Sequence, residues 1–269
     1  MLIRDNEKTL VNLMPDTIKH LQNTITSAGE IILSAADLRI TEKTSPRDLV
    51  TQYDKLVQER LIAAISEKLP DAQFVSEESA EKGDLNAENT FIIDPIDGTT
   101  NFIHGMGNCA ISVAWYKFGK PFYGAVYDPS ANEFFEAKAG EGASLNGKPI
   151  HVSDEPMRNS IVLFGTAPYN PELTDLTFEL IRKVFGKCQD IRRMGSAALD
   201  ICHVACGRAG LYFEATLSPW DYAAAALILK ESGGTFVNLS SQEIVLSLEK
   251  TSVVAGNKNI IAESGIINS

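Results

Sequence analysis

Cysteine is scarce in this chain, with four among 269 residues. Cys109, Cys188, Cys202 and Cys206 have no zinc-knuckle spacing and are too few for a disulfide framework, so reduced thiols are expected. Cys202 and Cys206 stand four apart on an expected helix with His203 between them. They are read as core packing, since free cysteine is a common buried residue. Long hydrophobic runs are also missing: the longest, residues 223–229, falls far short of the roughly 20 residues that span a bilayer. The opening residues, with Asp5 and Glu7, do not read as a secretory leader, which makes a cytoplasmic location the default. Positive charge is in deficit, with 24 basic against 35 acidic residues and a net charge of −11. That balance argues against a nonspecific nucleic-acid surface or an anionic-membrane surface. There are no repeats, low-complexity tracts or long linkers.

What the chain does have is a 44% hydrophobic composition and enough length to bury a sizeable core. It reads as one large domain or as two fused lobes, 1–152 and 153–269. Apolar positions at Leu10, Leu13, Ile18, Leu21, Ile25, Ala28, Ile31 and Ile32 give a helical period broken early by Pro15, so a helix from about Asp16 is expected. A loop containing Lys43, Ser45 and Pro46 leads to a second helix. Its face is formed by Tyr53, Leu56, Val57, Leu61, Ala64, Ile65 and Leu69, with Asp54 off that stripe, open to solvation or to reaching the site. Short β-rich runs follow at 73–75, 90–93, 109–116, 121–127 and 133–137. Their short connections imply antiparallel neighbours. After a strand at 160–164, a helix is expected over 171–184. Strands at 191–193, 211–213, 235–237 and 252–255 then alternate with helices at 197–206 and 219–232. Residues 1–8 and 264–269 are read as frayed termini.

Residues 91–101 read Phe-Ile-Ile-Asp-Pro-Ile-Asp-Gly-Thr-Thr-Asn. Phe91, Ile92 and Ile93 look like the end of a buried strand, so Asp94 emerges where the backbone leaves the sheet. Pro95 biases Asp94 toward an extended backbone, and Gly98 permits a sharp turn and close approach of a ligand. Two fixed carboxylates beside an anion-sized nest suggest hard metal ions holding a phosphate. Asp-Pro and Asp-Gly are also ordinary turn dipeptides.

The combination is less ordinary. DPIDGTTNF, preceded by Ser-Glu-Glu-Ser at 76–79 and followed by Pro-Trp-Asp-Tyr-Ala-Ala at 219–224, resembles the inositol monophosphatase family of metal-dependent phosphatases. The resemblance runs from about Lys43 to Gly233 and Gly234, and more weakly beyond. It implies an α/β layered (α+β) fold, the αβαβα sandwich shared with fructose-1,6-bisphosphatase, normally a homodimer or larger.

The resemblance also implies a site. Glu77, Asp94, Asp97, Asp221 and the Ile96 carbonyl would bind two or three Mg2+ ions, with Mn2+ or Ca2+ as substitutes and lithium as an inhibitor. Glu77 and Thr99 would activate the attacking water, with Asp54 holding the Thr99 hydroxyl, while Gly98 and Thr99 would receive phosphate oxygens. Gly195, Ser196, Ala197, Glu214, Thr166 and Lys43 match places near the substrate. Local readings stand beside these: Glu77 in a solvated charge cluster, Thr99 as a helix cap, Glu214 as an exposed acid at a strand end, and Lys43 as a solvated lysine. Ser218 and Asp221 match a capping box, with Pro219 at the first helical position. Arg192 and Arg193, adjacent on a strand, face opposite ways, so at most one approaches the substrate. His104 and His203 are read as structural.

The expected reaction is hydrolysis of inositol 1-phosphate or a similar small polyol phosphate by in-line attack of metal-activated water. Fructose 1,6-bisphosphate, histidinol phosphate, 3′(2′),5′-bisphosphate nucleotides and NADP are alternative substrates. A non-catalytic regulatory partner on a phosphatase scaffold is the alternative of another class.

Overall fold

The computed structural model describes residues 2–43, 48–80 and 82–267, with side chains described from Pro15 onward. Ser45 and Pro46, and the side chains of Leu10 and Leu13, lie outside the described residues. The chain opens with helix α1 (Leu2–Leu33), the small antiparallel pair β1 (Ile40–Glu42) and β2 (Leu49–Thr51), and helix α2 (Gln52–Lys68). Next come β3 (Gln73–Ser76), β4 (Thr90–Asp97), the single-turn α3 (Thr99–Ile103), β5 (Ala110–Lys117), β6 (Lys120–Asp128), β7 (Glu133–Lys138), β8 (Ala143–Leu145) and β9 (Lys148–Pro149). The remainder alternates: β10 (Ile161–Phe164), α4 (Thr174–Phe185), β11 (Asp190–Arg192), α5 (Ala197–Ala205), β12 (Leu211–Leu217), α6 (Pro219–Glu231), β13 (Thr235–Val237), β14 (Thr251–Gly256) and α7 (Lys258–Ser264).

Strands β3 to β9 form a seven-stranded sheet in chain order, and the later strands form a five-stranded sheet ordered β11-β10-β12-β14-β13. Period-2 alternation explains how the first sheet is covered on both sides. Phe91 and Ile93 of β4 pack with Leu21 and Ile25 of α1 and with Leu61 and Ile65 of α2. Ile92 points the other way, into a cluster with Leu199 of α5 and with Ala224 and Ile228 of α6. That same helix pair meets Leu163, Tyr212 and Val253 of the second sheet. The far face of the second sheet, at Val162, Phe213 and Val254, packs on Leu180 of α4 and Ile260 of α7. The layers therefore run α1/α2, seven strands, α5/α6, five strands, α4/α7, the αβαβα order expected. Each fully buried Leu, Ile or Phe in these clusters contributes about 1.5–3 kcal/mol.

Several local expectations are corrected. Helix α1 does not start after Pro15 but runs through it. Proline removes one main-chain donor, and the turns on either side keep theirs. On α2, Leu56 is exposed and not on the buried face as expected, while Asp54, left open between solvent and the site, is buried at the capped first turn. Strand β4 does not end at Ile93. It continues to Asp97 through a register shift against β5, between the pairs Asp94–Ser112 and Asp97–Ala110. Pro95, which has no N–H to give the ladder, sits in that irregularity. Strands β3 and β4 pair in parallel, not antiparallel, because the connection 77–89 returns the chain to the starting edge. Residues 264–267 are not frayed: Ile266 is fully buried in the α4/α7 layer.

Candidate active site

The bulged end of β4 places Asp94 and Asp97 beside a cavity of about 120 Å³ that Glu77, Thr99, Glu214 and Asp221 also line. The Ile96 N–H donates to Asp94 Oδ1 at 3.0 Å, a turn bond that fixes the first carboxylate across Pro95. Asp97 is held by a longer-range partner, the start of α5. The Ser196 hydroxyl donates to its Oδ2 at 2.5 Å and the Ala198 N–H to the same oxygen at 2.7 Å. Gly98, with φ of 93°, turns the chain into α3 in a conformation that favours glycine.

Asp54 joins the site through its helix cap. The Thr51 N–H and hydroxyl donate to Asp54 Oδ2 at 2.8 and 2.6 Å, a capping box that fixes the carboxylate. Its other oxygen lies 3.2 Å from Thr99 Oγ1, which also stands 2.9 Å from the Ile96 carbonyl oxygen. The single Thr99 hydroxyl hydrogen goes to one of these acceptors at a time. Burial raises Asp54 above the usual aspartate range, against the Thr51 hydrogen bonds.

Glu77 follows β3, its N–H donating to the Ile93 carbonyl at 3.1 Å. Its carboxylate meets the Lys43 ammonium at 2.8 Å, and Lys43 also pairs with Glu78. Lys43 is thus tied to acids rather than freely solvated. Asp221 carries the capping-box geometry anticipated for α6, with the Ser218 N–H donating to its Oδ2 at 2.7 Å. Capping and cavity lining coexist there.

The acids perturb one another. Burial, reinforced by Glu77, Asp97 and Asp221, holds Asp94 well above the carboxylate range. Burial pushes Asp97 up to about 7 against the bonds from Ser196 and Ala198. Asp221 is raised by burial and then by Glu77 and Asp97. Hard oxygen donors that penalise each other's charge suit a divalent cation, which removes the penalty. Among the described residues, no three acidic, histidine or cysteine side chains close on one point. Magnesium keeps several waters, so it needs only one or two carboxylates per ion, and an open acidic cavity fits it.

The opposite wall comes from the second sheet. Glu214 is not an exposed strand-end acid: it lies within β12 and is 8% exposed. The Ala167 N–H donates to its Oε1 at 2.9 Å and the Tyr212 hydroxyl to its Oε2 at 2.6 Å. Burial raises Glu214 against these two bonds. Gly165 lets the carboxylate in, since a Cβ there would overlap it. Gly195, Ser196 and Ala197 line the cavity, although the Ser196 hydroxyl is already given to Asp97. Thr166 is not among the lining residues; its neighbours Gly165 and Ala167 hold the Glu214 side of the site. Arg193 lines the cavity, whereas Arg192 pairs with Asp190 at 2.5 Å. His203 packs edge-on to Phe135 outside the site.

Three residues were missed from sequence. Tyr169 lines this cavity and an adjoining one of about 400 Å³. Lys82 donates to the Ser76 carbonyl and sits 4.4 Å from the Trp220 ring centroid, linking the segment after β3 to α6. Asp200, one turn after Ser196, also lines the cavity. Its spacing of four from Ser196, and that of two between Tyr212 and Glu214, were signals of shared faces.

Residues 14–268 match the profile of the Inositol monophosphatase family. The chain is 40% identical over 199 residues to "Nus factor SuhB" of Pasteurella multocida, covering 74% of each chain. The crystal structure of the extragenic suppressor protein suhB from Bartonella henselae superposes with a TM-score of 0.87 at 30% identity, covering 94% of this chain and 99% of that one. The Thermotoga maritima IMPase superposes with a TM-score of 0.83, also at 30% identity, covering 94% and 97%. The layered fold, the motif order and these matches agree, and the chain belongs to the inositol monophosphatase family.

Proposed function

We propose that this chain is a magnesium-dependent phosphomonoesterase acting on inositol 1-phosphate or a similar small polyol phosphate. The observation that carries the reading is the convergence of Glu77 after β3, Asp94 and Asp97 of β4, and Asp221 of α6 on one cavity that Thr99 and Glu214 also line. These carboxylates and the Ile96 carbonyl would hold the ions, two or three on this reading, which when bound would supply charge neutralisation of the phosphoryl group and leaving oxygen and a lowered pKa of water. Thr99, oriented by Asp54 and Ile96, works with Glu77 to position the attacking water and take its proton. Main-chain N–H groups at Gly98 and Thr99 receive phosphate oxygens. Glu214, fixed by Tyr212 and Ala167, accepts a hydrogen bond from a substrate hydroxyl.

The test is phosphate release from inositol 1-phosphate, fructose 1,6-bisphosphate and adenosine 3′,5′-bisphosphate side by side, with and without magnesium. Preference for inositol 1-phosphate is expected. Preference for another keeps the chemistry and replaces the substrate, and no magnesium-dependent release from any of them rejects the enzyme.

A second reading is favoured by the name of the Pasteurella relative, a Nus factor: a binding role exercised through the outer surface. It predicts that partner capture survives removal of the cavity acids, whereas phosphate release does not.

A further inference from the structure

Asp200 differs from every other acid of the cavity. Asp94, Asp97, Glu214 and Asp221 each accept a main-chain N–H, Asp97 and Glu214 accept a hydroxyl as well, and Glu77 accepts from the Lys43 ammonium. Asp200 is 1% exposed, lines the same cavity, and leaves its Oδ1 without a hydrogen-bond partner. Leaving a buried acceptor unpaired is costly, and native structures keep few such groups. Its position early in α5 gives it a favourable place in the helix field, which accounts for an acid there but not for an unpaired oxygen turned from solvent. Its charged surroundings are Asp97 and Glu214, which repel its charge, and Arg193, which favours it. No metal-ligand or proton-transfer role in the proposed reaction requires it.

We propose that Asp200 is a substrate-recognition residue, whose free carboxyl oxygen pairs with a hydroxyl of the bound polyol on the Glu214 side of the cavity. The proposal rests on the phosphomonoesterase reading and deepens it by adding a second acid to hydroxyl recognition. With Glu214 already bonded at both oxygens, Asp200 supplies the acceptor that the protein leaves open. A site built around a hydroxyl discriminates strongly against an ester lacking one, because its own polar group then stays unpaired.

Inositol 1-phosphate and phenyl phosphate, which has no free hydroxyl beyond its phosphate, separate the possibilities. Each is assayed with wild type, Asp200→Ala and the near-isosteric Asp200→Asn. Asp200→Ala should lower kcat/KM for inositol 1-phosphate by about tenfold or more, the scale of one hydrogen bond to a charged group, while leaving phenyl phosphate unchanged. Asp200→Asn should recover part of the loss, because its carbonyl still accepts. Equal losses on both esters, or no loss on either, overturn the proposal. If wild type hydrolyses neither ester, the inositol 1-phosphate assignment fails by itself. Calorimetric binding of the same two compounds in magnesium then decides Asp200: weaker binding of inositol 1-phosphate alone by Asp200→Ala supports it, and any other pattern overturns it.

Discussion

The two walls of the cavity are held by different means. On the first-sheet side, Asp94 and Asp54 are fixed by donors within three residues of themselves, Ile96 and Thr51. On the second-sheet side, Glu214 has one near donor, the Tyr212 hydroxyl, but its other oxygen depends on Ala167, 47 residues away in sequence, and on the space left at Gly165. Asp97 bridges the two, leaving β4 and ending on α5. Locally built positions tolerate change elsewhere in the fold, whereas the second wall holds only while strand, loop and helix keep their register. On the proposed function, the first wall carries the chemistry and the second the choice of substrate.

Short of removing a proposed ion-binding acid, the contrast is broken most severely at Thr99. Thr99→Ala removes the hydroxyl between Asp54 and the Ile96 carbonyl and should lower kcat by about 10²-fold or more, with KM little changed. Stopped assays at saturating substrate check this, and near-normal kcat would take Thr99 out of the chemistry. Gly165→Ala comes next: its methyl overlaps the Glu214 carboxyl, so KM for inositol 1-phosphate should rise roughly tenfold while phenyl phosphate turnover persists. Equal damage to both substrates would show that the second wall supports the first.

The smallest effect expected is on stability against pH. Burial raises Glu214 above the ordinary glutamate value of 4.5, so the folded chain keeps its proton to a higher pH than the unfolded chain. The contribution of this group to stability is therefore full below about 4.5 and is lost as pH rises through the folded value. Thermal melts of wild type and Glu214→Gln in chelator should diverge in that direction, wild type falling relative to the variant as pH rises. Convergence with rising pH would contradict the assignment.

Locality also decided what could be read from the sequence. The 91–101 segment was legible because its turn chemistry, Asp94 to Ile96 and Gly98 into α3, lies within a few residues. The Ser218–Asp221 cap was legible for the same reason. Periodicity left Asp54 open between solvent and the site, because it lies off the α2 stripe and its bond to Thr99 spans 45 residues. Asp200 and Tyr169 reach the site, and Lys82 ties the segment after β3 to α6, through tertiary packing that hydropathy does not encode. The parallel pairing of β3 with β4 was hidden because no helix occupies the connection between them. The layer order came through resemblance, not through periodicity, which gave the elements but not how the two sheets share α5 and α6.

The central claim is that the acids lining this cavity bind the ions that make it a phosphatase. It is tested most directly by magnesium-dependent phosphate release from inositol 1-phosphate, comparing wild type with Asp94→Asn at matched folded content. The account predicts clear release by wild type and a loss of roughly three orders of magnitude in the variant, equivalent to about 4 kcal/mol of transition-state stabilisation. Retained activity in Asp94→Asn would contradict it.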